Sequence, residues 1–282
     1  MLLGELVQSL IHENIKLVVM SERISHSEIG LLLRNNHMDI QTYIDSRSAG
    51  YAATGLCAES GKPVIFVLDN DNDSRNAYPA MTEAFYKKYP IIFVTIGSKK
   101  SVDYSSELKD TIVRTECYRE NDTFHSSIIS FCLENSLPVH IVISSKKGRI
   151  SCDKDVSEII KDLDKECNYL YVSNSFICRS KSKIRRNIAG GDDGIVSNIL
   201  GASLSGCYNK YIGVCNDREM IHDLNALGNK YVNDRISFLV FGKNYIKMIS
   251  DYAESLGFET YYGYENIENI EKIGKTIVFI EE

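Results

Sequence analysis

RSAGYAATGLCAES at residues 47–60, GKP at 61–63 and VIFVL at 64–68 read together as a helix, a stop and a strand. The first piece is built of small residues and reads as helical. Gly61 supplies the C-terminal stop. Five consecutive apolar residues then predict a strand covered on both faces. The same rhythm extends outward in both directions. Toward the amino end, Leu2, Leu3, Leu6, Leu10 and Ile11 fall at helical spacing within 2–14. A short buried strand follows at Leu17–Met20, then a helix over 26–35 and a strand over 41–44. Toward the carboxyl end come a helix over 76–88, a strand at Ile91–Thr95, a helix near 122–135 and a strand at Val139–Ile143. Continuous apolar strands separated by helices predict a parallel sheet with helices on both faces.

Residues 146–168 (KKGRISCDKDVSEIIKDLDKEC begins the stretch) break the alternation, polar at first and then weakly helical. Beyond them it restarts, with strands over 169–173, 211–215, 237–241, 258–261 and 276–280. Helices are expected over 194–205, 218–229, 244–256 and 266–271. All four prolines lie at or before Pro138, consistent with two separate units. The expected fold class is therefore α/β, with two doubly wound parallel-sheet domains: 1–147, a linker at 148–168, and 169–282. Ligands on such sheets bind at the carboxyl ends of the strands. That directs attention to the loops at 21–27, 45–48, 69–75, 96–106, 174–193, 215–218 and 242–244.

The chain has 282 residues, 44% of them apolar and 25% charged, which excludes a disordered or collagen-like chain. Its net charge of −6 and the lack of a basic run argue against a nucleic-acid partner. No apolar run approaches the ~20 residues of a membrane span. The start, MLLGELVQSL, lacks a basic segment and carries Glu5, so no secretory signal is expected and a cytoplasmic location is. The eight cysteines form no C-x-x-C pair and have no histidine at zinc spacing. Most are expected as reduced core residues. Among the six histidines, His140 reads as structural, His222 as a packing or capping residue, and His26 as a ligand contact in the first-strand loop.

Beyond pattern, Asp45-Ser46-Arg47-Ser48-Ala49-Gly50-Tyr51, with Ala53, Gly55, Leu56 and the Ser60–Val64 stretch, resembles the pyrimidine-binding domain of thiamine diphosphate enzymes. Within that family it is most like 2-succinyl-5-enolpyruvyl-6-hydroxy-3-cyclohexene-1-carboxylate synthase, which reads D-E-R-S-A-G-F there. Asn76–Ala80, Glu83-Ala84, Tyr89–Ile92 and Pro138–Ile141 extend the likeness. The second half is similar to the diphosphate-binding domain. Asn174-Ser175 and Arg179 match N-S-x-x-x-R, and Gly191–Ser197 matches G-I-D-G-x-x-S. Asp217 and His222–Leu227 match G-D-L followed by H-D-L-N-x-L. The resemblance implies the thiamine diphosphate-binding fold, with the linker in place of the family's middle domain and a shortened lid after residue 243.

The family's chemistry needs a carboxylate on the cofactor's aminopyrimidine, a divalent metal on its diphosphate and a closed lid. The cofactor is the electron sink and the protein positions it. By resemblance the cofactors are thiamine diphosphate and Mg²⁺, the cofactor contacts Asp192, Asp193, Gly194, Asp217 and Lys243, and the metal ligand Asp217. Arg23, His26, Arg47, Asn174 and Arg179 are the substrate-loop residues. Four positions depart from the pattern. Ser46 stands at the activating Glu position, so no residue is assigned a catalytic role. Asn216 replaces the Gly of the metal turn. Lys243 replaces a ligand Asn, and a protonated Lys repels Mg²⁺ unless it pairs with Asp217 or a phosphate. Asp69-Asn70-Asp71-Asn72-Asp73 replaces a compact turn and reads as a solvated acidic turn; the Gly and Glu of a calcium-binding EF-hand loop are absent.

Three readings stay open. The first is a degenerate thiamine diphosphate-fold protein, serving as a ligand-binding homodimer or higher even oligomer, or as the partner subunit of an enzyme. The second is an active carboligase or decarboxylase on a 2-oxo acid. The third is a protein that binds a nucleotide or sugar phosphate in the cleft between its domains.

Overall fold

A computed structural model of the chain describes residues 2–69, 71–97, 111–119, 121–144, 154–173, 176, 185–186 and 194–281, with only the backbone described at 71–73, 154–155 and 185–186. It divides into two compact units, Met1–Gly148 and Arg149–Glu282.

In the first unit the order is α1 (Leu2–His12), β1 (Leu17–Ser21), α2 (Glu22–Ser25), α3 (Glu28–Asn35), β2 (Asp39–Tyr43), α4 (Ser46–Ser60) and β3 (Val64–Leu68). There follow α5 (Asp71–Lys87), β4 (Ile91–Gly97), β5 (Arg114–Tyr118), α6 (Ser127–Asn135) and β6 (Val139–Ser144). The strands form one parallel sheet, sheet A, in the order β2-β1-β3-β4-β6-β5. Alternate residues of the central strands feed two cores. Val18, Met20, Ile65, Val67, Ile92 and Val94 pack beneath α1, α3 and α6. Val19, Val64, Phe66, Leu68, Ile91 and Phe93 pack beneath α4 and α5. The small residues of α4 let it sit close to its neighbours. A Cβ on Gly50 would lie 2.7 Å from Ala80 Cβ and 3.2 Å from the Phe66 ring. Gly61 ends α4 at φ 63°, as its place in the sequence predicts.

In the second unit come α7 (Lys154–Leu163), β7 (Asn168–Val172), β8 (Arg185–Arg186), α8 (Ile195–Ser203), β9 (Lys210–Asn216), α9 (Asp217–His222), β10 (Ile236–Gly242), α10 (Ile246–Ser255), β11 (Glu259–Tyr262) and β12 (Thr276–Glu281). Sheet B is also parallel, in the order β11-β12-β10-β9-β7-β8. One face is covered by α8, α9 and α10 through Ile199, Met220 and Ile249. The other is covered by α7 and a 3-10 helix at Tyr264–Glu271, through Val156, Ile160 and Ile270.

Several expectations change. The segment read as linker contributes α7, whose Val156, Ile160 and Leu163 are buried in the second unit's core. Residues 218–229 are not one helix: α9 ends at His222 and a 3-10 helix follows at Leu224–Gly228. The stretch 266–271 is 3-10 rather than α. The acidic stretch is no turn beyond Asp69, because α5 begins at Asp71, where carboxylates favour a helix start. Of the six described cysteines, all free thiols, Cys57, Cys132 and Cys215 are buried but Cys117, Cys167 and Cys207 are exposed. The last three lie on an edge strand or near strand starts, where apolar neighbours do not guarantee burial. Among the described residues, no helix is long and apolar enough to cross a membrane.

Candidate functional site

The chain runs from β1 outward to β2 and returns to β3 on the other side of β1. Such a reversal opens a crevice at the carboxyl ends of the two inner strands. Sheet A places polar groups there. β1 ends in Ser21, 2% exposed, whose Oγ is buried and has no hydrogen-bond partner among the described residues. The chain turns at once into α2, and Arg23 Nε lies 3.0 Å from Asp69 Oδ2, just past β3. His26 is exposed at the C-terminal end of α2. The turn is held by Arg34 Nη1, which donates to Ser25 O at 2.6 Å. At the end of β2, the Asp45 carboxylate caps α4 by accepting from Ser48 N at 3.0 Å. Ser46 is then buried at the first helical position and Arg47 is exposed. Arg23, His26, Ser46 and Arg47 therefore share the carboxyl edge of sheet A. Ser21 was not singled out by sequence reasoning; its signal is a lone hydroxyl closing an apolar strand.

A chain of polar groups leads inward from α5. Ser74 Oγ and Thr95 Oγ1 lie 2.7 Å apart, and Thr95 Oγ1 is 2.8 Å from His140 Nε2. His140 is 2% exposed and its Nδ1 has no hydrogen-bond partner among the described residues. Burial pushes its pKa down to about 4, so the imidazole is neutral at pH 7.

In the second unit the corresponding edge is made by the ends of β9 and β10. Asn216, in place of the expected Gly, caps α9. Its Oδ1 accepts from Glu219 N at 2.8 Å, while Glu219 Oε2 accepts from Asn216 N at 2.9 Å. Asp217 is 6% exposed, and its Oδ2 accepts from Asn244 N at 2.9 Å and from Tyr245 N at 3.0 Å. Its carboxylate thus anchors the loop after β10. Gly242 makes room for it: at φ 148°, a Cβ there would lie 2.3–2.6 Å from the carboxylate atoms. Lys243 is exposed and makes no ion pair with Asp217 among the described residues, so the pairing considered from sequence is not formed. Gly194 precedes α8 at φ 88°, and Asp223 grips the first turn of that helix, accepting from Ser197 N at 2.6 Å and Ser197 Oγ at 2.7 Å. Asn174, Arg179, Asp192 and Asp193 lie outside the described residues.

These groups do not fit the metal-bound cofactor. Mg²⁺ demands near-octahedral oxygen ligands. The described residues offer Asp217, one of whose oxygens already takes two backbone N–H groups, and Lys243, which has no oxygen to give a metal. Among the described residues, no group of three or more His, Cys, Asp and Glu could hold an ion. At the position where the resemblance expects an activating Glu, Ser46 offers a hydroxyl, and a bond from it to a pyrimidine would be neutral, about half as strong as a charge-assisted one.

Two parallel-sheet units, each with polar groups at its carboxyl edge, define an α/β protein. No family model matches the chain. It has weak relatives among the thiamine diphosphate-dependent 2-succinyl-5-enolpyruvyl-6-hydroxy-3-cyclohexene-1-carboxylate synthases. That of Bacillus cytotoxicus is 28% identical over 138 residues, covering 48% of this chain and 22% of the relative. That of Bacillus velezensis is 41% identical over 61 residues, covering 21% and 11%. The matched stretches thus span about a fifth or less of those relatives' length. Among solved structures, a thiamine diphosphate-dependent 4-hydroxybenzoylformate decarboxylase from Rhodococcus jostii aligns over 100% of this chain and 99% of its own, at 9% identity and a TM-score of 0.43.

Proposed function

We propose that this chain is a thiamine diphosphate-fold protein whose metal and cofactor site has been dismantled. It works as a ligand-binding homodimer or as the non-catalytic partner of an enzyme. One observation carries the reading: the Asp217 carboxylate, the residue that would hold the metal, is buried and commits one of its two oxygens to the amides of Asn244 and Tyr245 as the anchor of the loop after β10. Ser46 and Lys243 support it, since each removes an oxygen anion or ligand that the cofactor needs. In this reading the carboxyl edge of sheet A, with Arg23, His26 and Arg47, takes a small carboxylate. A second reading, an active carboligase or decarboxylase on a 2-oxo acid, draws support from the weak relatives, which are synthases.

Calorimetric titration with thiamine diphosphate, with and without Mg²⁺, separates the two. The expected result is no metal-dependent heat. Metal-dependent binding near micromolar, about −8 kcal/mol, overturns the proposal. Sedimentation then distinguishes a dimer from a monomer that awaits a partner.

A further inference from the structure

The amino-terminal edge of sheet B, opposite the edge just described, holds an open cavity of about 690 Å³. Lys210, the first residue of β9, forms part of its wall and is only 4% exposed. Its ammonium donates to Gly274 O at 2.7 Å, Ser237 Oγ at 2.9 Å and Asp234 O at 3.3 Å. All three acceptors are neutral, and among the described residues no carboxylate lies within ion-pairing distance. A buried charge without a counter-ion is uncommon, because desolvation is costly. Burial accordingly draws the Lys210 pKa down to about 8, with the Asp234 carboxylate pulling it partly back. At pH 7 the group is still mostly charged.

Two other cations line the cavity. Lys165 is already matched: its Nζ lies 2.6 Å from Glu271 Oε2, and Asn168 donates to the other oxygen at 2.8 Å. Arg235 is exposed; its Nη1 donates to Gly206 O at 3.4 Å, and among the described residues its guanidinium has no carboxylate partner. Asp234 and Glu271 are the two carboxylates in the same wall. Glu271 is taken by Lys165, and Asp234 lies within ion-pairing distance of neither Lys210 nor Arg235 among the described residues, so three cations face two acids.

We propose that this cavity is a binding site for a small molecule bearing a carboxylate or a phosphate ester. The two anions share one chemistry here. The Arg235 fork supplies directional hydrogen bonds to oxygen, whereas Lys210, whose three protons are committed, supplies charge alone. The volume falls in the ordinary range of small-molecule sites, roughly 300–1,000 Å³, which leaves room for the body that carries the anion.

The test is titration of the full chain with inorganic phosphate and, separately, with succinate, followed by backbone amide NMR. Saturable shifts confined to 206–210 and 234–235 are expected with at least one probe at or below about 10 mM. Phosphate alone identifies a phosphate ester, succinate alone a carboxylate, and both a shared oxyanion site. Arg235→Ala, at an exposed position, should weaken binding about tenfold or more. Lys210→Met should weaken it as well. If Lys210→Met fails to fold, the arginine variant still decides. No saturable shift with either probe, shifts located elsewhere, or unchanged affinity in Arg235→Ala overturns the proposal.

Discussion

His140 sets a pH limit on the first unit. It lies on β6, between β4 and the edge strand β5, with one nitrogen bonded to Thr95 and the other without a hydrogen-bond partner among the described residues. A buried N–H left unpaired is rarer than an unpaired acceptor. The proton therefore resides on Nε2, which donates to Thr95, and Nδ1 presents its lone pair to the core. Charging this ring means placing a cation in an apolar interior, which is why its folded pKa falls to about 4 from 6.5. The unfolded chain takes the proton first, so stability is intact above about pH 6.5 and drains away as pH falls toward 4. At 1.36 kcal/mol per unit, the full loss is about 3 kcal/mol, and about 2–3 of it is gone by pH 4.5. His140→Leu removes the titration and leaves Thr95 its bond to Ser74. Hydrogen exchange of peptides covering 91–97 and 139–144 reads the opening free energy of this unit alone. At pH 7 the variant should lie within about 1 kcal/mol of the parent. At pH 4.5 it should be better protected, its advantage having grown by about 2–3 kcal/mol. A parent–variant difference that does not change between the two pH values refutes the reasoning, as does an imidazole ¹⁵N spectrum placing the proton on Nδ1.

Three further outcomes follow from the second unit and the cysteines. Asp217→Ala leaves the amides of Asn244 and Tyr245 without their acceptor, and should cost about 2 kcal/mol or more in urea unfolding of the second unit. A carboxylate kept free for a metal would instead be neutral to remove. Gly242→Ala drives a methyl group into the Asp217 carboxylate at a positive φ; thermal unfolding should show a loss of about 2 kcal/mol or more, with a stable variant counting against the close approach. In the native protein at pH 8, Cys117, Cys167 and Cys207 should alkylate within minutes while Cys57, Cys132 and Cys215 stay protected. Burial raises the Cys57 and Cys132 thiols to about 11 and about 12, and mass spectrometry of the labelled peptides checks the order.

What could be read from sequence were the strands buried on both faces. VIFVL and the stretch beginning at Ile91 are apolar at every position, because helices cover each face. The strand at Arg114–Tyr118 was missed for the opposite reason: RTECY lies at the edge of the sheet and is mostly half-exposed. The start of α5 was hidden because Asp and Asn serve turns and helix starts alike. At the candidate site, residue identity indicated where to look but not what each group does. Asn216 as a cap and Asp217 as a loop anchor depend on where backbone N–H groups point, and that is fixed only once β9 and β10 lie side by side.

The polar character of the strands at the rims of sheet A has a use of its own. The outermost strands, β2 and β5, expose one row of backbone donors and acceptors to any extended segment that approaches. Asp39 and Gln41 on one rim, and Arg114 and Glu116 on the other, set charges and amides along those rows. Stacking such strands into a fibril would have to bury those charges at every layer, which opposes growth of the sheet at its own borders.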